Sequence, residues 1–476
     1  MSELVIVRAE SEAALVAEMR RIVGFVDRVP DVRLADVAYT CTLTQGDCAI
    51  SLIVSDVASL RARLVSAADR ISSGTTKRIR DKSGTYYFRE HLIGPEKGKL
   101  AFLYPGVMSF YPDMMRDLAI DYGICRGAFD ELEEALAGDP EFTPSSFIFP
   151  PAAYYRHDAD IFKSGAYAQA LVATYAGCMA LTRLLEKSGL EPDGVVGFAG
   201  GDLAAMMRSG VAGKAPGRPD RIRFIRDIYK IVRKAVNHGG LPEVSVLTVL
   251  LRHEGEIDET VAGFPKDKVM LTVDFSPRQK TFAVAKDFEA EALKAFAEAG
   301  VRTMKLELDR PFNTPMCESL VPAIRKFADD WMKHDPVCDV YSCAGADLVP
   351  TSWLRSARKE TAGRWAMPVR FRETVRKMYA DGYRVFLEVG PRGLMTAAVA
   401  DILRGEDHAA IALNSIHRSG RLQMQHAIGQ LVALGAKLDL RWSSSAGTRT
   451  GWISTLRFRL RSASTRRRSF RGSSRS

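Results

Sequence analysis

The chain has 476 residues, with 67 Lys+Arg against 57 Asp+Glu and a formal net charge of +10. Its 46% apolar and 26% charged composition is that of a folded globular chain, and it excludes disorder, collagen and a disulfide miniprotein. The excess positive charge lies wholly beyond Leu440: residues 441–476 hold ten Arg and no acidic residue, which leaves 57 side chains of each sign before them.

The opening MSELVIVRAESEAAL is too acidic and too interrupted for a signal peptide. No run approaches about 18 consecutive apolar residues, so no membrane span is expected, and the chain is expected to be soluble and cytoplasmic. Cys41, Cys48, Cys125, Cys178, Cys317, Cys338 and Cys343 are scattered without a C-x-x-C pair. They read as reduced thiols rather than a disulfide framework or a zinc cluster. Ser11 is placed to cap a helix over EAALVAEMRRIVGFVDRV, whose apolar residues recur at spacings of three and four. SLIVSD reads as a buried strand, followed by the helix VASLRARLVSAADRI, and the polar stretch GTYYFREHLIGPEKGK reads as a linker. KLAFLYPG is a short apolar strand that runs into Pro105-Gly106, an edge of the kind where α/β sheets present their sites.

GAYAQALVATYAGCMALTRLLEKSG predicts a long helix ending at Gly189, with Ala168, Ala170, Ala173 and Ala176 allowing close packing on a sheet. GLEPDGVVGF then supplies a turn and a strand. From Val244 to Leu308 the order strand, helix, two strands, helix, strand is the ferredoxin-like arrangement and predicts a small inserted domain. RVFLEVGPRGLM returns to a strand with a Gly-Pro turn, and LQMQHAIGQLVALGA reads as a closing helix. The boundaries that follow are 1–95, 96–243 with 309–400, the insert 244–308, a closing helical region 401–440 and the tail 441–476.

The sharpest local feature is Val195-Val196-Gly197-Phe198-Ala199-Gly200-Gly201-Asp202, a strand and turn followed directly by an Ala-rich helix. This is the pattern of a nucleophile elbow, G-x-S-x-G, in which small residues let strand and helix approach closely. Ala199 stands at the nucleophile position, and a methyl group cannot attack a carbonyl. The plain alternative is an ordinary strand-turn-helix of a doubly wound sheet.

With these residues the chain resembles the malonyl-CoA:acyl-carrier-protein transacylase family of acyltransferases, in the form found in type I polyketide and polyunsaturated fatty acid synthases. Gly197-Phe198-Ala199-Gly200-Gly201-Asp202 matches that family's Gly-His-Ser-x-Gly-Glu. Phe102 to Phe110 matches its Phe-x-x-Pro-Gly-Gln-Gly-Ser-Gln, with Val107 and Phe110 in place of the two Gln. Asp274-Phe275-Ser276-Pro277 matches the Asn-Ser-Pro signature of the small subdomain, with one extra residue. Pro311-Phe312-Asn313-Thr314-Pro315 matches Ala-Phe-His-Ser-Pro, with Asn313 in place of the catalytic His. Pro368-Val369-Arg370-Phe371 and Glu388-Val389-Gly390-Pro391 stand intact.

The resemblance covers residues 1 to about 440. It implies an α/β fold in which an α/β-hydrolase-like large subdomain carries a ferredoxin-like small subdomain. A small α/β domain, similar to the ketosynthase-to-acyltransferase linker of such synthases, would precede it. It also implies an oxyanion hole from the backbone N–H groups of Gly200 and Val107, and an Arg that clamps a substrate carboxylate. Arg221, Arg223 and Arg226 are candidates for that Arg, with Arg226 favoured among the three and a plain surface Arg on an amphipathic helix standing evenly beside that role, and Phe312 and Phe198 would line the pocket. Acyl-CoA and the phosphopantetheine of a carrier protein are the implied ligands, with no bound cofactor or metal. Acyl carrier protein and ketosynthase-containing synthase subunits are the implied partners.

Because nucleophile and base are both replaced, the leading expectation is a catalytically impaired acyltransferase-fold component. It would act as a scaffold, a carrier-protein docking surface or an acyl-CoA binder. Two other readings stand beside it. One is an active acyltransferase or thioesterase with a different nucleophile, such as Cys317 or Ser209, and a base such as His157 or His238. The other is nucleic-acid binding through the Arg-rich tail. That tail reads more simply as a disordered segment from a shifted reading frame, so nucleic acid is not expected as a partner.

Overall fold

The structure is a computed structural model that describes residues 2–151, 166–213, 216–237, 240–349 and 362–440. His157, His238 and the tail 441–476 lie outside the described residues. The chain divides into two compact units. One comprises residues 1–94, 187–190 and the C-terminal segment from 424, and the other residues 95–186 and 191–423.

In the first unit β1 (Glu3–Ala9), β2 (Cys48–Val54), β3 (Arg78–Arg80) and β4 (Thr85–Phe88) form an antiparallel sheet in the order β1-β2-β4-β3. Ser11 Oγ accepts the Ala14 N–H and starts the helix Glu12–Arg28, which buries Leu15, Met19, Ile22 and Val26. Asp56 caps the helix Val57–Ser72 in the same way. These two helices and the sheet share one apolar core.

The linker expected over GTYYFREHLIGPEKGK is corrected at its start: Thr85–Phe88 is β4, paired to both β2 and β3, with Tyr86 and Tyr87 buried. The aromatic pair supplies more apolar area than the polar residues around it suggest. The single region expected over 401–440 is corrected too, since it splits at 423. Within the first unit Ser51 Oγ donates to the Gly429 carbonyl at 2.7 Å, and Tyr86 hydrogen-bonds His426 Nδ1 at 2.6 Å.

The second unit opens with β5 (Lys99–Tyr104) and β6 (Gly194–Gly197). The insert contributes β7 (Val244–Leu250), β8 (Val269–Ser276), β9 (Gln279–Ala285) and β10 (Arg302–Leu306). There follow β11 (Asp339–Ser342), β12 (Asp347–Leu348), β13 (Val369–Arg370), β14 (Tyr383–Glu388) and β15 (Ala409–Ala412).

The large sheet runs β12-β11-β6-β5-β14-β15, parallel except for the β11–β12 hairpin. Its central strands β5, β6 and β14 are buried apolar runs, as strands covered on both faces require. The helix Tyr167–Lys187 is buried along nearly its whole circumference. Among the described helices it is the one long and apolar enough to cross a membrane by length and composition, and its side chains fill the core of this unit.

The insert has the ferredoxin-like order β10-β7-β9-β8, antiparallel throughout. Its sheet gains a fifth strand from outside: β13, the Val369-Arg370 of the Pro-Val-x-Phe motif, pairs in parallel with β8. Arg372, just beyond, holds the buried Asp274 of β8 at 2.9 Å. Burial raises the Asp274 carboxyl above its ordinary range, and Arg372 pulls it back.

The insert folds around Phe282 and Phe296, whose rings lie 5.8 Å apart, both buried. Phe296→Ala should cost about 3–5 kcal/mol by opening a cavity in this small core. Urea denaturation followed by circular dichroism would record the lowered midpoint.

Candidate active site

The elbow forms where β6 turns into a short 3₁₀ turn, Ala199–Gly201, and then the helix Asp202–Arg208. Its glycines are dictated by contact. A Cβ on Gly197 would lie 2.2 Å from the Asp202 nitrogen, and one on Gly201 would lie 2.0 Å from the Tyr104 carbonyl oxygen. Ala199 has φ 50°, a left-handed conformation that an L-residue adopts at a cost. The Pro105-Gly106 loop closes over the turn: a Cβ on Gly106 would stand 3.4 Å from Ala199 Cβ and 3.5 Å from the Gly200 nitrogen. Val107 follows in a 3₁₀ turn, Val107–Ser109, with its side chain buried. The structure therefore brings Ala199, Gly200 and the loop carrying Val107 together.

Phe198 packs edge-on against Phe275 of β8 at 5.2 Å and Phe371 at 5.5 Å, and those two rings stack on each other at 5.4 Å. Phe312 is buried, stacked on Tyr167 at 3.9 Å and edge-on to Trp365 at 6.0 Å. Both aromatic residues are thus engaged by other rings.

Asn313 has φ 63°, a conformation Asn tolerates better than most residues. Its backbone N–H donates to the Trp365 carbonyl and its side-chain amide to the Arg364 carbonyl, each at 3.1 Å. Arg364 in turn reaches Asp202 Oδ1 at 2.7 Å, with both side chains largely buried. Burial pushes the Asp202 carboxyl up to about 6, while the Arg364 charge opposes the shift. Arg364 is the cation that sequence reasoning missed. It lies three residues before Met367-Pro368-Val369, with nothing local to mark it, and only the fold brings it to the helix after the elbow.

The expected carboxylate clamp is corrected. Helix Arg218–Asn237 turns an apolar face inward, with Ile222, Ile225, Ile228 and Val232 buried, and keeps its arginines off that face. Arg221 is held by the buried Glu131. Arg223 pairs with Asp220 and lies over the Trp331 ring at 4.6 Å. Arg226 is exposed, donates from Nε to the Ala135 carbonyl at 3.0 Å, and lines a surface cavity that includes no elbow residue. The physical reason is amphipathicity: the helix buries its apolar stripe and leaves its charges to the rim.

The substitute nucleophiles are no better placed. Cys317 is buried, its Sγ donates to the Pro311 carbonyl at 3.2 Å, and burial pushes its thiol up to about 11. Ser209 is buried at the end of its helix and donates to the Met206 carbonyl. Neither lies at the elbow turn.

A parallel sheet with a strand-to-helix elbow and a ferredoxin-like insert defines the two-subdomain α/β acyltransferase fold. The family model described as acyl transferase domain matches residues 102–434. The chain is 25% identical over 380 residues to 6-methylsalicylic acid synthase of Penicillium patulum, covering 78% of this chain and 20% of that protein. The acyltransferase domain from module 8 of the salinomycin polyketide synthase superposes with a TM-score of 0.72 at 16% identity, over 93% of this chain and 98% of that one. A malonyl-transacylase solved with a type II polyketide synthase acyl-carrier protein superposes at 0.57 and 20% identity, over 69% and 99%. The chain belongs to the acyl transferase domain family. It spans about a fifth or less of the length of curated relatives that are whole synthases.

Gly201→Ala should cost at least about 1–3 kcal/mol, because the new methyl meets backbone rather than a movable side chain. Ala199→Gly should hold or raise the unfolding midpoint, since it removes a left-handed penalty of roughly 1–2 kcal/mol. Denaturant titration of the two variants side by side checks both signs.

The raised Asp202 carboxyl carries a pH signature. A folded-state value near 6 above an ordinary 3.8 stabilises the protein below pH 3.8, and this contribution is lost as pH rises toward 6. The stability of the native chain relative to Asp202→Asn should therefore fall across that window, as measured by urea unfolding at pH 4 and pH 6.5.

Proposed function

We propose that the chain is an acyltransferase-fold component of a polyketide synthase system that does not turn over through a covalent acyl-enzyme. The observation that carries this reading is the elbow itself, which keeps its strained turn and close-packed glycines with a methyl group at its apex. Asn313 supports it further. An amide has no protonation change near neutral pH, and this one is spent on the Arg364 carbonyl.

What this geometry can still offer is binding. In this reading the Gly200 and Val107 backbone N–H groups, which do not depend on side-chain identity, would receive the carbonyl oxygen of a bound acyl group. In this reading the ligand is an acyl thioester, carried on coenzyme A or on the phosphopantetheine of a carrier protein. The chain serves as a scaffold or docking surface for acyl carrier protein and ketosynthase-containing subunits in the cytoplasm. The malonyl-transacylase solved with a carrier protein supports the choice of partner.

Incubation with radiolabelled malonyl-CoA and a denaturing gel tests the reading. The native chain should retain no label, and a label that survives denaturation would overturn it. Ala199→Ser with Asn313→His should gain acylation, because the turn is already formed and His is also tolerated at positive φ. If the double variant gains none, the space around the elbow is closed to acyl groups, and the docking role is left without the binding role.

A further inference from the structure

Arg226 belongs to a different cavity from the one its sequence position suggests. The exposed side of helix Arg218–Asn237 and the loop 135–141 enclose a surface cavity of about 680 Å³. That volume falls within the ~300–1,000 Å³ of small-molecule sites. Four cations line it, Arg226, Lys230, Arg233 and Lys234, against two carboxylates, Asp139 and Glu141. Arg233 takes both carboxylates. Arg226, Lys230 and Lys234 are left with no carboxylate partner among the described residues.

The three cations recur at every fourth position. On a helix rising ~1.5 Å per residue they run along one face for about 12 Å. Tyr229, between Arg226 and Lys230, also lines the cavity. Its ring is buried and stacked on Phe142 at 5.6 Å, and the Arg233 guanidinium lies 5.8 Å from the ring centroid. The three cations are exposed, but they stand along one wall of a concavity with no carboxylate paired to them among the described residues, so their positive potential is concentrated on one small volume.

We propose that this cavity binds a small anion carrying at least two phosphoryl groups. Lys and Arg in a row suit phosphoryl oxygens, with Lys as a point charge and Arg as a fork. A single carboxylate would neutralise one of the three charges and leave the others facing each other. The site contains no elbow residue, and it stands whether or not the elbow forms an acyl-enzyme.

Isothermal titration calorimetry on the full chain at low salt, with pyrophosphate, ADP and inorganic phosphate as separate probes, tests the proposal. Pyrophosphate or ADP should bind at least tenfold more tightly than phosphate. ADP binding tighter than pyrophosphate assigns the site to a nucleotide, and equal binding assigns it to the diphosphate alone. Lys230→Glu with Lys234→Glu should weaken pyrophosphate at least tenfold. Lys294→Glu with Arg404→Glu, two exposed cations elsewhere, should leave it unchanged, as should Ala199→Ser with Asn313→His. If the charge-reversed chain does not fold, Lys230→Gln with Lys234→Gln serves in its place. Absence of binding by the native chain, or equal affinity in both Lys230/Lys234 variants and the native chain, overturns the proposal.

Discussion

The second unit is organised around one steric constraint, the close approach of β6 to the helix Asp202–Arg208. There is no room for a Cβ on Gly197 or Gly201, and the reversal between them forces Ala199 to positive φ. The elbow fixes the start of that helix and with it the buried Asp202. The carboxylate fixes Arg364, and the Arg364 carbonyl receives the Asn313 amide. Segments that lie far apart in sequence are thus ordered by a turn of five residues. The expense of a mutation at the turn is set by how many of these contacts move together.

The insert is tied to this centre by apolar and ionic contacts that act in different ways. The Phe198, Phe275 and Phe371 rings join the elbow, β8 and the helix after β13 into one aromatic cluster. Around it Arg372 holds Asp274, while Ser276 and Arg278 both reach Asp401. Burial of the rings supplies most of the attraction. The ion pairs add direction, because a buried carboxylate such as Asp274 is costly unless its partner is in place. The Pro-Val-x-Phe motif has a plain structural meaning in this frame: Val369 and Arg370 form the strand that extends the insert's sheet, and Phe371 enters the cluster.

Much of this was legible in the sequence wherever the determining contacts are local. Ser11 and its helix, the alternation of the insert and the Gly-rich turn all show in a short window, and each element formed where its pattern placed it. The misreadings share one cause. TYYF looked like part of a polar linker because its burial depends on β2 and β3. Arg226 was expected as a clamp from its position in the family resemblance, and which way its helix presents it depends on segments packed against that helix from elsewhere in the chain. Arg364 carried no local signal, and the division at 423 arises from contacts such as Ser51 with Gly429 across most of the chain.

The strained turn at Ala199 bears on how such sites should be read. A left-handed Ala costs on the order of 1–2 kcal/mol, and no reacting group is there to make use of it. The conformation persists because β5, β6 and the following helix leave the chain no other path: the Tyr104 carbonyl stands against Gly201 and the Gly106 loop against Ala199. The strain at this elbow is therefore a property of its strand-to-helix packing. Asn313 shows the same separation, since its positive φ is held by the Trp365 carbonyl and suits Asn for reasons unrelated to proton transfer. At both 199 and 313 the backbone conformation is thus set by the surrounding chain rather than by any reaction of the side chain that stands there.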